Sequence, residues 1–186
     1  MKLKKLNAVL SLASMAALLL HLGYSVYAYL KYYYNPTLTK TFSIILMVLT
    51  SLHAVLGMSI VFLSGDGSRL SDYPKQNIRT ILQRVSAALF FPLLILHVKT
   101  FELLKTFSGK DAWFMFYLLI FTEIIFYGTI ILHVAVSLTR ALITMGWLQS
   151  RKVMRILDLC IWAICSLAFL VSAVAVVRTQ LIMFAG

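Results

Sequence analysis

The stretch TFSIILMVLTSLHAVLGMSIVFLSG, residues 41–65, contains 25 residues without one charged side chain and carries a single histidine, His53. A helix of about 20 apolar residues crosses the hydrocarbon core of a bilayer, so this stretch predicts a transmembrane helix. The imidazole of His53 would lie within that core, where a polar group is costly. His53 is therefore a candidate functional residue.

Four further segments have the same apolar character. They are residues 6–30, 85–104, 112–139 and 156–178. The connections between the five segments are short, and short connections place neighbouring helices antiparallel in one bundle. The sequence predicts an all-α fold, a membrane-embedded five-helix bundle that forms a single domain over residues 1–186.

The composition agrees with a membrane protein. Hydrophobic residues make up 61% of the chain and charged residues only 12%, whereas soluble domains have about 25% charged residues. This excludes a soluble enzyme, a disordered segment and a disulfide scaffold. The net charge of +11 follows the membrane boundaries, so we predict no nucleic-acid partner.

The positive charges predict the orientation, because basic residues in short loops stay on the cytoplasmic side. Eleven of the 17 basic residues lie in three alternate segments: Lys2, Lys4, Lys5, Arg69, Lys75, Arg79, Arg84, Arg140, Arg151, Lys152 and Arg155. We expect a multi-pass protein of the cytoplasmic (inner) membrane with its N-terminus in the cytoplasm. The basic N-terminus also resembles a signal peptide, but its apolar run is longer than a signal peptide needs.

All four histidines of the chain lie in predicted spans, one in each of the first four: His21, His53, His97 and His133. At about 1.5 Å per residue, His21 and His97 lie ~22 and ~20 Å from the inner face. His133 lies ~10 Å from the inner face, and His53 lies ~18 Å from the outer one. Depth therefore sorts them into an outer pair, His21 and His97, and an inner pair, His53 and His133.

Two imidazoles at one level suit a six-coordinate haem, since the porphyrin supplies four nitrogens and each imidazole one axial bond. The pattern predicts two b haems. The small residues Gly57, Gly128 and Ala135 would leave room for the porphyrin edges, although small residues also serve ordinary helix packing. A lone intramembrane histidine can instead simply hydrogen-bond a neighbouring helix.

Three segments carry a family resemblance: SLHAVLGMSIVF (51–62), NIRTILQRVSAALFFPLLILHVKT (77–100) and TIILHVAVSLTRALITMGW (129–147). With histidines on four of five helices, the chain resembles the dihaem cytochrome b (b558-type) membrane anchor of succinate:quinone oxidoreductases, that is, of succinate dehydrogenase or fumarate reductase. The family often has a basic pair followed by His-Ser near the start of its first helix. Here Lys4 and Lys5 are followed by Leu6 and Asn7.

The resemblance implies that His21 and His97 ligate the distal haem and that His53 and His133 ligate the proximal haem. It implies a flavoprotein subunit with FAD and an iron–sulfur subunit on the cytoplasmic side, and it is compatible with a homodimer of that heterotrimer. Succinate chemistry would belong to the flavoprotein. The anchor would exchange electrons with a membrane quinone, typically menaquinone.

Charged residues near the predicted sites supply further candidates. Arg84 and Arg140 lie at the inner edge and could bind haem propionates, or they could only mark the membrane boundary. Glu123, deep in its span, and Glu102, nearer the surface, are candidates for a proton path to an outer quinone, and Lys99 lies two residues after His97. Membrane lipid would contact the basic inner face.

Two other functions remain open at this stage. One is a haem-free helical transporter whose histidines relay protons or bind a metal. The other is the dihaem quinol-reactive anchor of a different respiratory complex.

Overall fold

The computed structural model describes residues 2–64, 74–104, 106 and 112–185, and nearly all of them are helical. The helices are α1 (Lys2–Lys31), α2 (Pro36–Ser64), α3 (Pro74–Leu104), α4 (Ala112–Thr144) and α5 (Arg151–Ala185). The described part of the chain contains no strand. The all-α prediction is confirmed. Arg69, one of the basic residues used to predict the orientation, lies outside the described residues.

Every helix is longer than the span predicted for it. The largest extension is at the start of α3, which begins at Pro74 rather than at residue 85. Helix formation depends on backbone hydrogen bonds and on residues such as Gln, Leu and Arg that favour helix, so a charged side chain does not end it. The apolar run marks only the part of each helix that suits the hydrocarbon core of a membrane. The helix itself continues beyond that run.

A side-chain cap and a glycine define the helix ends at the two connections that the structure describes. The Asn35 side chain caps α2, because its Oδ1 accepts the backbone N–H groups of Thr37 at 3.0 Å and Leu38 at 3.1 Å. After α4, Gly146 adopts a φ of +80°, and the backbone N–H of Trp147 donates to Leu142 O at 3.1 Å. This is a glycine-terminated helix end of the Schellman type.

The end of α1 uses the same backbone geometry without a glycine. Tyr32 has a φ of 52°, in the left-handed region that disfavours L side chains by about 1 kcal/mol or more. We expect Tyr32→Gly to raise the midpoint of thermal unfolding, measured by circular dichroism in detergent. Tyr34→Gly is the matched control and should not raise it. Equal effects of the two variants would contradict the assignment of strain to Tyr32.

The helices pack as two antiparallel hairpins joined through α1, α4 and α5. Extensive packing joins α1 to α2, α3 to α4 and α4 to α5, and α1 also packs against α4 and α5. The first four helices therefore follow the order α2, α1, α4, α3 around the bundle. In this order α1 lies diagonally opposite α3, and α2 lies diagonally opposite α4. Neither diagonal pair packs extensively within the described residues.

Helix α4 forms the centre of the bundle and α2 its margin. Of the most apolar window of α4, 33% is buried, against 0% for α2. One apolar cluster joins Phe116 and Leu119 on α4 to Leu104 on α3, with Phe184 of α5 packed against it. A second joins Ala135 to Ile161 and Cys165 on α5.

All five helices are long and apolar enough to cross a membrane. Large apolar side chains point outward along each of them, for example Leu20, Val55, Ile95, Phe121 and Leu159. A soluble protein rarely exposes apolar surface on this scale. This is the architecture of a multi-pass membrane protein.

Candidate functional site

The four histidines lie on the four helices that surround the bundle interior. His21 is on α1, His53 on α2, His97 on α3 and His133 on α4. Each predicted pair therefore consists of residues from diagonally opposite helices, which make no extensive contact of their own. The imidazoles of each pair are nevertheless near enough to interact electrostatically.

The two imidazoles of the inner pair lie close together. The ring centres of His53 and His133 lie 6.4 Å apart, with 68° between the ring planes. Two imidazoles on opposite sides of one metal ion, with metal–nitrogen bonds of about 2 Å and ring centres about 1 Å behind those nitrogens, would have ring centres roughly 6 Å apart. The observed spacing fits two axial ligands of one iron.

Hydrogen bonds determine which nitrogen of His133 carries the proton. Its Nδ1 lies 3.2 Å from the backbone carbonyl of Gln83 and 3.1 Å from Ser86 Oγ. The Ser86 hydroxyl hydrogen is directed to Leu82 O at 2.7 Å, and a carbonyl can only accept, so His133 Nδ1–H must be the donor. The lone pair is then on Nε2, the form in which a histidine ligates metal.

His53 lies beside Asn7. Its Nδ1 is buried and makes no hydrogen bond of normal geometry with any described residue, and the backbone of Asn7 is its polar neighbour. Asn7 also lies against Gly57, where an added Cβ would be 3.7 Å from Asn7 Oδ1. Asn7, where the sequence departs from the family pattern, therefore lies beside the inner pair.

His97 has a buried carboxyl group as its partner. Its Nδ1 lies 2.7 Å from Glu123 Oε2, and the side chain of Glu123 is only 1% exposed. An ionised carboxylate only accepts hydrogen bonds, so towards an ionised Glu123 the imidazole donates through Nδ1–H and keeps its lone pair on Nε2. Phe126 packs on the same imidazole, with ring centres 4.9 Å apart.

His21 shows the same pattern at a longer distance. Its Nδ1 lies 3.4 Å from Ser43 Oγ, and the Ser43 hydroxyl donates to Thr39 O at 2.8 Å. Ser43 can therefore accept the Nδ1–H of His21. His21, His97 and His133 thus each direct Nδ1 to a protein acceptor.

The two pairs lie at different levels of the bundle. On α2, Ser43, the partner of His21, precedes His53 by ten residues. On α4, Glu123, the partner of His97, precedes His133 by ten residues. Ten helical residues rise about 15 Å. Both helices therefore give the same separation between the two levels.

The two arginines predicted to bind propionates have protein partners. Arg140 donates to Gln83 Oε1 at 3.1 Å and to Thr80 Oγ1 at 2.9 Å. Arg84 is partly buried and also has a neighbouring partner. Gln83 contacts Arg140 through its side chain and His133 through its backbone carbonyl. Arg140 therefore lies at the end of the bundle nearest the inner pair.

Lys99 and Glu102 form an exposed ion pair near the end of α3. Lys99 Nζ lies 2.6 Å from Glu102 Oε2, and their side chains are 58% and 67% exposed. Of the two predicted carboxylates, only Glu123 lies in the interior beside a histidine.

Sequence reasoning missed an ion pair that ties α3 to α5. Arg79 lies 2.6 Å from Asp158 Oδ1 and donates to the backbone carbonyls of Ala135 at 3.1 Å and Val136 at 2.9 Å. The Thr139 hydroxyl donates to the same carboxylate at 2.8 Å. The opposite charges of Arg79 and Asp158 were visible in the sequence, but they are 79 residues apart and nothing in it indicated contact.

Two of the small residues predicted to leave room for a porphyrin serve another purpose. An added Cβ at Gly128 would contact the Phe169 ring of α5 at 3.7 Å. Ala135 is 0% exposed and packs in the cluster with Ile161 and Cys165 of α5. These residues allow close packing of α4 on α5.

No known protein-family model, curated protein or solved structure matches the chain. The function is therefore inferred from the geometry of the residues themselves.

Proposed function

We propose that this chain is the dihaem cytochrome b membrane anchor of a succinate:quinone oxidoreductase. His21 and His97 would hold the outer b haem and His53 and His133 the inner one. One observation carries the proposal: four helices each contribute one histidine, and these form two diagonal pairs about 15 Å apart along the bundle.

The donor chemistry fits haem better than a bare metal ion. Among the described residues, no group of three or more His, Cys, Asp or Glu side chains is arranged to hold a metal, whereas structural and catalytic metal sites usually have at least three protein ligands. A porphyrin supplies four nitrogens itself and needs only two axial imidazoles. The 6.4 Å between the rings of His53 and His133 meets that need.

The residues around each pair would keep the histidine side chains oriented and shielded from water. The Nδ1 atom of His97 is hydrogen-bonded to Glu123, and that of His133 lies within hydrogen-bond distance of Ser86. Such contacts fix the orientation and the tautomer of each imidazole. Apolar helices exclude water from the interior. When bound, each haem supplies a reversible one-electron carrier.

The remaining features of the proposal concern orientation and partners. The basic segments support a cytoplasmic N-terminus in the cell inner membrane. The inner pair and Arg140 would then lie towards the cytoplasm, where a flavoprotein with FAD and an iron–sulfur subunit would dock. The quinone, for which menaquinone is our proposal, would react within the membrane.

A haem-free proton transporter is the second candidate, favoured by the buried contact between His97 and Glu123. Such a protein would bind no haem and need no soluble subunits.

The proposal is tested by purifying the full-length chain with its associated subunits and measuring protohaem by the pyridine haemochrome assay. We expect two protohaems per chain, together with a flavoprotein and an iron–sulfur protein. Haem with other subunits would assign the chain to a different respiratory complex. A colourless preparation would favour the transporter.

A further inference from the structure

The two histidine pairs differ in the group that faces Nδ1 of their imidazoles. His133 Nδ1 is directed to the neutral carbonyl of Gln83 and the neutral hydroxyl of Ser86. His97 Nδ1 is directed to the carboxylate of Glu123 at 2.7 Å. Among the described residues, neither His53 nor His133 has a hydrogen-bonded carboxylate.

Burial strengthens the effect of this carboxylate. Glu123 is 1% exposed, and Phe126 covers the imidazole of His97. Hydrogen bonds to an ionised acceptor are roughly twice as strong as neutral ones. In a low-dielectric interior the electrostatic effect of the charge is also screened far less than in water.

We propose that Glu123 is a positioning residue that lowers the reduction potential of the haem held by His21 and His97. The inference rests on the proposed function. By accepting the Nδ1–H of His97, Glu123 makes the imidazole a stronger electron donor. The carboxylate therefore stabilises the more positive, oxidised state of the iron bound at that level and makes the two sites inequivalent.

The position of Glu123 supports a specific effect on one site. It lies ten residues before His133 on α4, which places it about 15 Å along the helix from the inner pair. Tyr29 and Tyr127 also lie within electrostatic range of this carboxylate. Both carry neutral hydroxyl groups, so neither replaces the charge that Glu123 brings to His97.

The test is a spectroelectrochemical titration of the purified complex, following haem absorbance, with Glu123→Gln as the variant. Glutamine keeps the size of the side chain and an oxygen that can accept the hydrogen bond, and it removes the charge. We expect two haems per chain, a shift of one transition to higher potential and no shift of the other. The His21→Ala/His97→Ala double variant, which should keep only the inner haem, identifies the transition that must not move.

Glu102→Gln is the matched control, because it neutralises an exposed glutamate on α3 and should move neither transition. The inference is overturned if Glu123→Gln moves neither transition, or if it moves both equally. Two haems with unshifted potentials would leave the proposed function standing, whereas an unmodified complex without haem would overturn both.

A second measurement applies if Glu123→Gln does not accumulate. Redox-difference infrared spectra of the unmodified complex, with isotopically labelled glutamate, should show a glutamate carboxyl band that changes with the outer transition and not with the inner one. The absence of any glutamate band at either transition would overturn the inference.

Discussion

Replacing His53 and His133 together by alanine is expected to leave one haem per chain, whereas replacing His53 and His97 together is expected to leave none. The first double variant removes both proposed ligands of one level and leaves His21 and His97 in place. The second removes one ligand from each level. Because each proposed haem would depend on two imidazoles from diagonal helices, the outcome depends on which histidines are combined.

The measurement is protohaem per chain by the pyridine haemochrome assay, with helix content checked by circular dichroism. The remaining same-level variant, His21→Ala/His97→Ala, should also keep one haem. Leu52→Ala is the control, since Leu52 is next to His53 but faces outward, and it should keep two. Equal haem loss in same-level and cross-level variants would contradict the pairing.

Asp158→Ala is expected to lower the free energy of unfolding by about 2 kcal/mol, because it leaves a partly buried guanidinium without its carboxylate. The side chains of Arg79 and Asp158 are 29% and 27% exposed. Arg79 would keep its bonds to the carbonyls of Ala135 and Val136. Thr139 would also lose an acceptor.

Unfolding in detergent with increasing denaturant would measure this change. Glu102→Ala, which breaks the exposed pair with Lys99, is the control and should have no measurable effect. A double-mutant cycle with Arg79→Met would separate the coupling of the pair from the loss of either side chain alone. Equal effects of Asp158→Ala and Glu102→Ala would show that the α3–α5 contact does not stabilise the fold.

Much of the site could be placed from the sequence, and its supporting contacts could not. A helix rises by a constant amount per residue, so the positions of His97 and His133 within their spans were enough to assign them to different levels. The acceptors that hold them were not predictable. Ser86 reaches His133 over 47 residues and Glu123 reaches His97 over 26, and such contacts depend on how α3 and α4 are rotated against each other.

Sequence alone determined that the chain is helical and apolar enough to cross a membrane five times, and that each of the first four spans carries one histidine. Only the tertiary structure decided that these helices form two diagonal pairs, that Glu123 faces His97, and that Arg79 joins Asp158. The physical reason is that lipid and bundle interior both accept apolar side chains. The hydrophobic pattern therefore fixes the length and depth of the part of each helix that crosses the membrane, and the contacts between helices decide which face turns inward.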